Sequence, residues 1–156
     1  MSGELYHTPA EIIAQMFVDL GLADYPEDDG LTGWVVYPMH LPETPDEAIL
    51  ISDTAGRLHR RMHVSGITGE HYGIQILVRS PEDPATPYKK VKSILHYLDT
   101  EVNRELVTIS GHTYRVNAVT RTSGALPAGR DGARFLYSGN VVASIEFVEA
   151  DTGTGT

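Results

Sequence analysis

Apolar positions recur along this chain with two different periods, and the switches between them mark out its elements. Ile12, Ile13, Met16, Phe17 and Leu20 have the spacing of one stripe on an α-helix. Ahead of them, Thr8-Pro9-Ala10-Glu11 offers a cap, a proline suited to the first helical position and a capping-box glutamate, and Gly21 offers the stop. Residues 25–33, with Pro26 and three acids, read as a loop. A short strand is expected over 34–37, closed by Pro38 and the turn between Pro42 and Pro45. A second is expected over 48–52, ending at Asp53-Thr54-Ala55-Gly56. Residues 57–70 keep no period and read as a long loop rich in Arg, His and Gly.

The most informative stretch runs from Tyr72 to Asp99. Ile74, Ile76 and Val78 alternate with Gly73, Gln75, Leu77 and Arg79, which is a strand with one apolar face. After a proline-rich break, Val91, Ile94, Leu95, Leu98 and Val102 form a helical stripe whose opposite side is mostly basic. Residues 106–109 and 113–120 then predict a hairpin around Ser110-Gly111-His112. Residues 121–134 read as a second long loop, because Gly124, Pro127, Gly129 and Gly132 interrupt it beside Arg121, Arg130 and Arg134. Residues 135–148 are the longest strand expected, with Tyr137, Gly139, Val141, Ala143, Ile145 and Phe147 on one face. This order predicts an α+β fold: a mostly antiparallel mixed β-sheet with two helices packed on one face, plus long loops. A single domain over 1–150 and a flexible tail over 151–156 are expected.

Composition adds limits. The chain has 156 residues, enough for one core, and 41% of them are hydrophobic and 21% charged. There is no cysteine, so disulfides, thiolate metal sites and thiol nucleophiles are excluded. No apolar run approaches the ~20 residues of a membrane-spanning helix, and the N-terminus lacks the basic segment and apolar core of a signal peptide. Net charge is −9, which argues against nucleic-acid binding as the main activity, since phosphate neutralisation needs a basic footprint. The charge is also segregated. Residues 1–56 hold eleven acids and no Lys or Arg, whereas residues 57–134 hold all twelve Lys and Arg against seven acids. Folding can interleave these segments, or it can leave an acidic and a basic flank that meet between neighbouring copies in a head-to-tail contact.

Candidate chemistry is thin. His59 and His63 have the i, i+4 spacing of a helical zinc pair, but Arg60 stands where a metalloprotease needs its glutamate, and Arg61 follows it. Glu70 and His71 complete a ligand set only if that loop folds back. Ser65-Gly66 and Ser123-Gly124 lack the flanking glycine of a nucleophile elbow, and no phosphate-cradling glycine loop is present. Lys89, Lys90 and Lys92 fall in the first two turns of the second helix, where positive charge opposes the helix dipole. They read either as a solvated face or as one completed by an acidic partner, most simply Glu27-Asp28-Asp29 or the Glu43–Glu47 region of another copy.

The strand Tyr72-Gly73-Ile74-Gln75-Ile76-Leu77-Val78-Arg79, followed by Tyr88 and a helix ending in Leu98, resembles the tail-terminator and minor capsid proteins of long-tailed, siphovirus-like bacteriophages. In that family a Q-[IV]-x-[VI]-R strand precedes a Y-x-x-[AV]-x-x-[IL] helix. The run Ala48-Ile49-Leu50-Ile51-Ser52-Asp53-Thr54 is similar to the family's A-I-x-[IL]-x-D-T strand and turn. Ile109-Ser110-Gly111-His112-Thr113-Tyr114 is similar to its i-x-G-x-x-Y hairpin. Thr122-Ser123-Gly124, then Arg130-Asp131, Arg134-Phe135 and Ser138-Gly139-Asn140-Val141, resemble its ending, except that Pro127 lies further from Ser-Gly than the family's proline. The motifs span roughly residues 34–147; each is short, and their order carries the resemblance.

The resemblance implies a non-enzymatic virion protein without cofactor or metal. Its copies would form a ring, a hexamer in that family, at the top of the tail tube. The ring stops tube polymerisation and gives the head its joining surface, so the partners are other copies, the tail tube protein and the head-closure connector. Genomic DNA passes through without being read, and no membrane is involved. Lys89, Lys92, His96, Gln75, Arg79, Glu27, Asp28 and Asp29 are the candidate subunit interface. Arg57, Arg60, Arg61, Arg121, Arg130 and Arg134 are the candidate contacts to tube or connector. A head-closure or other neck protein is the near alternative. A metal-dependent hydrolase using His59, His63 and His71, or a small host binding module, are the alternatives from other classes.

Overall fold

A computed structural model describes residues 5–25, 34–54, 70–81 and 83–148. The first helix, α1 (Pro9–Asp19), starts as its sequence dictates: the Glu11 N–H donates to Thr8 Oγ1 at 3.1 Å and the Thr8 N–H to Glu11 Oε1 at 2.9 Å. It ends in a Schellman turn. Gly21, at φ +77°, donates to the Val18 carbonyl, and Leu22 donates to that of Phe17. Ala10, Ile12, Ile13, Ala14, Met16 and Phe17 are buried, so the helix is apolar around most of its girth.

Six strands form one path: β1 (Val36–Pro38), β2 (Ala48–Asp53), β3 (Glu70–Ser80), β7 (Arg134–Val148), β5 (His112–Arg121) and β4 (Glu105–Ile109). Only β1 and β2 run parallel. The remaining strand, β6 (Leu126–Asp131), pairs with the first part of β7 on the side that β5 occupies further along. Thr122 bridges the gap by donating to the Asn140 carbonyl at 2.8 Å. One continuous stretch of chain therefore tracks β7 along nearly its full length.

The α+β expectation holds: the described residues form two helices and a mostly antiparallel, curled mixed sheet. Alternation puts Ile49, Ile51, Ile74, Ile76, Val78, Val141, Ala143 and Ile145 on one buried face. The second helix, α2 (Ala85–Glu101), lays Val91, Ile94, Leu95 and Leu98 over β3, β7 and β5. Gly139 makes the close approach possible, because a Cβ there would sit 2.7 Å from Leu95 Cδ1. The sheet curls enough that α1 touches both of its ends, β1 with β2 on one side and β4 on the other. Asp53, at the end of β2, fixes this closure by accepting the Ala10 N–H at 2.9 Å. Burial pushes its carboxyl pKa up, with the Ala10 bond partly opposing.

Two expectations need correction. Residues 121–134 are not a long loop: β6 and β7 form a hairpin turned at Gly132-Ala133, with a register shift between Pro127 and Gly129. Proline and glycine are tolerated there because β6 is an edge strand, where a missing N–H breaks no ladder. The first strand is 36–38 rather than 34–37, and Pro38 belongs to it, paired with Ile51. Of the loops expected over 25–33 and 57–70, residues 26–33 and 57–69 lie outside the described residues, as does the tail, while Glu70 is not loop but the first residue of β3.

Candidate functional site

Two charged surfaces stand out, on opposite sides of the subunit. The first is built around Arg79. Its position in β3 turns it away from the core face, with Gly73, Gln75 and Leu77. It is nevertheless only 3% exposed, because the segment between β1 and β2 folds over it. Its guanidinium donates to the carbonyls of Asp46 and Glu43, each at 3.3 Å, and to that of Pro45. Burial, and then the neighbouring Arg134, lower its pKa from the ordinary guanidinium value.

Arg134, at the start of β7, completes the cluster. Nη1 donates to the Glu43 carbonyl at 2.6 Å and to Asp46 Oδ1 at 3.3 Å. Nη2 donates to Asp131 Oδ2 at 2.7 Å and Glu43 Oε2 at 3.3 Å. The Ser80 hydroxyl donates to Glu47 Oε2 at 3.3 Å. The burial is lopsided: the Arg134 side chain is 12% exposed, against 87% for Glu43, 61% for Asp46 and 50% for Asp131. Positive charge lies inside and carboxylates face water. Ion pairs to such exposed carboxylates contribute little, ~0–1 kcal/mol each. The charge-assisted bonds to loop carbonyls are the stronger holds.

The second surface is the outer side of α2, where Lys89, Lys92 and His96 are all exposed. Lys92 Nζ lies 5.8 Å above the Tyr88 ring, and Tyr88 packs edge-on against Tyr137 of β7. Lys90 turns the other way, 5.1 Å over the Trp34 ring, and burial lowers its pKa. The first turn holds no acid. One residue before the cap, Asp83 Oδ1 accepts the Thr86 N–H at 2.9 Å and its hydroxyl at 3.1 Å, which holds the Asp83 pKa below the usual carboxylate range.

The other expected site residues are dispersed. Gln75 sits half-buried in mid-sheet between Ser52 and Asn140. Arg121 ends β5 with its N–H 3.4 Å from Asp99 Oδ1. Arg130 is exposed on β6, its guanidinium 4.7 Å over the Phe135 ring. Glu27, Asp28, Asp29, Arg57, Arg60 and Arg61 lie outside the described residues, as do His59 and His63. His71 is on β3, paired with Ser144. Among the described residues no group of three or more His, Asp or Glu is arranged to hold a metal.

Sequence reasoning missed the cluster at the other end of the subunit. Tyr114 of β5 is fully buried with its hydroxyl 2.7 Å from His7 Nδ1, and Tyr6 stacks on His112 at 4.2 Å and edge-on to Phe147 at 5.3 Å. Burial pushes the Tyr114 phenol pKa up. His112 Nδ1 is buried without a hydrogen-bond partner among the described residues. The i, i+2 alternation of His112 and Tyr114 with Val116 was the available signal, and it points only to burial. No protein-family model matches this chain, and no curated protein matches it significantly. Among the described residues no helix is long and apolar enough to cross a membrane.

Proposed function

We propose that this chain is a structural subunit of a phage tail, a tail terminator whose copies form a ring on the tail tube, stop its growth and present the surface that joins the head. The observation that carries this reading is the β6–β7 hairpin. All six residues of β6 are exposed, yet the hairpin is paired along β7 and tied at its turn end by Arg134, which donates to Asp131 and to the Glu43 carbonyl. A rigid exposed arm costs folding entropy with little burial in return, which fits an element completed by another chain. Further support comes from the motif residues that carry the family resemblance. Spread over roughly a hundred positions, most of them lie on the neighbouring strands β2, β3, β7, β5 and β6, with Tyr88 and Leu98 on the helix packed over that sheet.

On this reading Arg121 and Arg130 reach toward tube or connector, and α2 lies near the seam between copies. Native mass spectrometry and negative-stain microscopy of the full chain test it, together with the length of tails assembled without it. Closed rings and over-long tubes are expected; a strictly monomeric chain that never enters particles would overturn the proposal.

A further inference from the structure

We infer that the basic outer face of α2 docks onto the carboxylate surface formed by Glu43, Asp46 and Asp131 of a second copy. The inference rests on the ring reading and supplies its contact.

The argument starts from direction. The core stripe of α2 packs on the buried face of the sheet, so Lys89, Lys92 and His96 point outward from the helix layer. Arg79 and the loop folded over it lie on the opposite face of β3. The two charged surfaces therefore look away from each other and cannot meet within one subunit. Surfaces of opposite sign that point in opposite directions make a heterologous contact, which repeats from copy to copy and closes into a ring when the rotation allows.

Each surface also presents exposed charge that the core does not use. Lys89 and Lys92 lie beyond the first turn of α2, which itself holds no acid, and within the subunit Asp83 just ahead of the helix meets Lys89. Lys92 is nonetheless positioned by the Tyr88 ring rather than free. On the other side, Arg79 is buried against loop carbonyls, and Arg134, with its side chain 12% exposed, holds the carboxylates of Glu43, Asp46 and Asp131 facing outward. Putting the second copy's acids at the start of α2 supplies the anionic charge that a helix N-terminus favours. Complementary charge of this kind mainly sets register and association rate.

The test uses two full-length variants, Lys89→Glu/Lys92→Glu and Glu43→Lys/Asp46→Lys, and their equimolar mixture, each followed by native mass spectrometry and by circular dichroism to verify folding. Each variant alone should lose the ring, because its two surfaces then carry the same sign. The mixture should regain it, since each altered surface faces a complementary one. Wild-type rings should weaken as salt rises. Rings that persist in both single variants would overturn this contact while leaving the ring reading intact. A wild-type chain that is monomeric under all conditions and absent from particles would sink both. Should Glu43→Lys/Asp46→Lys fail to fold, loss of rings in Lys89→Glu/Lys92→Glu together with salt sensitivity still supports the contact, and their absence still rejects it.

Discussion

The two helices of this subunit use their residues in opposite ways. α1 is short, doubly capped and buried on six of its eleven positions. It closes the curl of the sheet by touching both ends. α2 is longer, buries five of seventeen positions and leaves a charged face in water. Burying a helix on most sides spends it on stability, whereas burying one stripe leaves the rest free for recognition. α1 is accordingly part of the core, and α2 is a support for side chains that serve something outside the subunit.

The contrast can be broken most severely at α1. Phe17 is fully buried, and Phe17→Ala should cost ~3–5 kcal/mol in chemical denaturation. Lys89→Glu/Lys92→Glu on α2 should leave the stability of the monomer unchanged or slightly raised. An equally large loss from both would show that α2's outer face is structural after all. The next effect concerns how closely α2 sits. Gly139→Ala forces a methyl against Leu95 and should cost about 1–3 kcal/mol. In a double-mutant cycle with Leu95→Ala the two losses should be less than additive. Strict additivity would mean the helix shifts freely.

The smallest effects lie at the caps. Thr8→Ala should cost ~0.5–2 kcal/mol. Asp83 behaves differently, because its stabilisation depends on charge. Its folded pKa lies below the unfolded value of 3.8, so the contribution is present above that value and fades as pH falls through the folded pKa. Helical signal from α2 should therefore fray in acid in the wild type. Asp83→Asn should remove that pH dependence, and an unchanged acid transition in the variant would show that Asp83 plays no part in it.

Local chemistry foretold most of the architecture. The capping box, the glycine stop, the alternation in β2, β3 and β7 and the Ser110-Gly111 turn all lie where short-range rules place them, with Ser110 and Gly111 both at positive φ. β6 escaped notice because Pro127 and Gly129 are loop residues by every local rule, and only pairing with β7 makes them part of a strand. The acidic surface was hidden for a related reason. Arg79 sits on the face that alternation assigns to solvent, and its burial depends on a segment over thirty positions earlier in the chain folding over it. Lys89 and Lys92 of α2 were visible directly, since helical spacing alone puts them opposite the core stripe.

One consequence of the sheet's layout concerns motion. β7 spans fifteen residues, ~50 Å at about 3.3 Å per residue, and is flanked by β3 on one side and by β5 and then β6 on the other. A strand braced on both edges cannot bend locally without breaking two ladders together. Its first residue, Arg134, lies at the turn of the exposed arm, while Phe147 near its end packs against Tyr6 and Tyr114. β7 is therefore a strut, and a push on the arm is felt at the far end of the subunit as a displacement of the whole body.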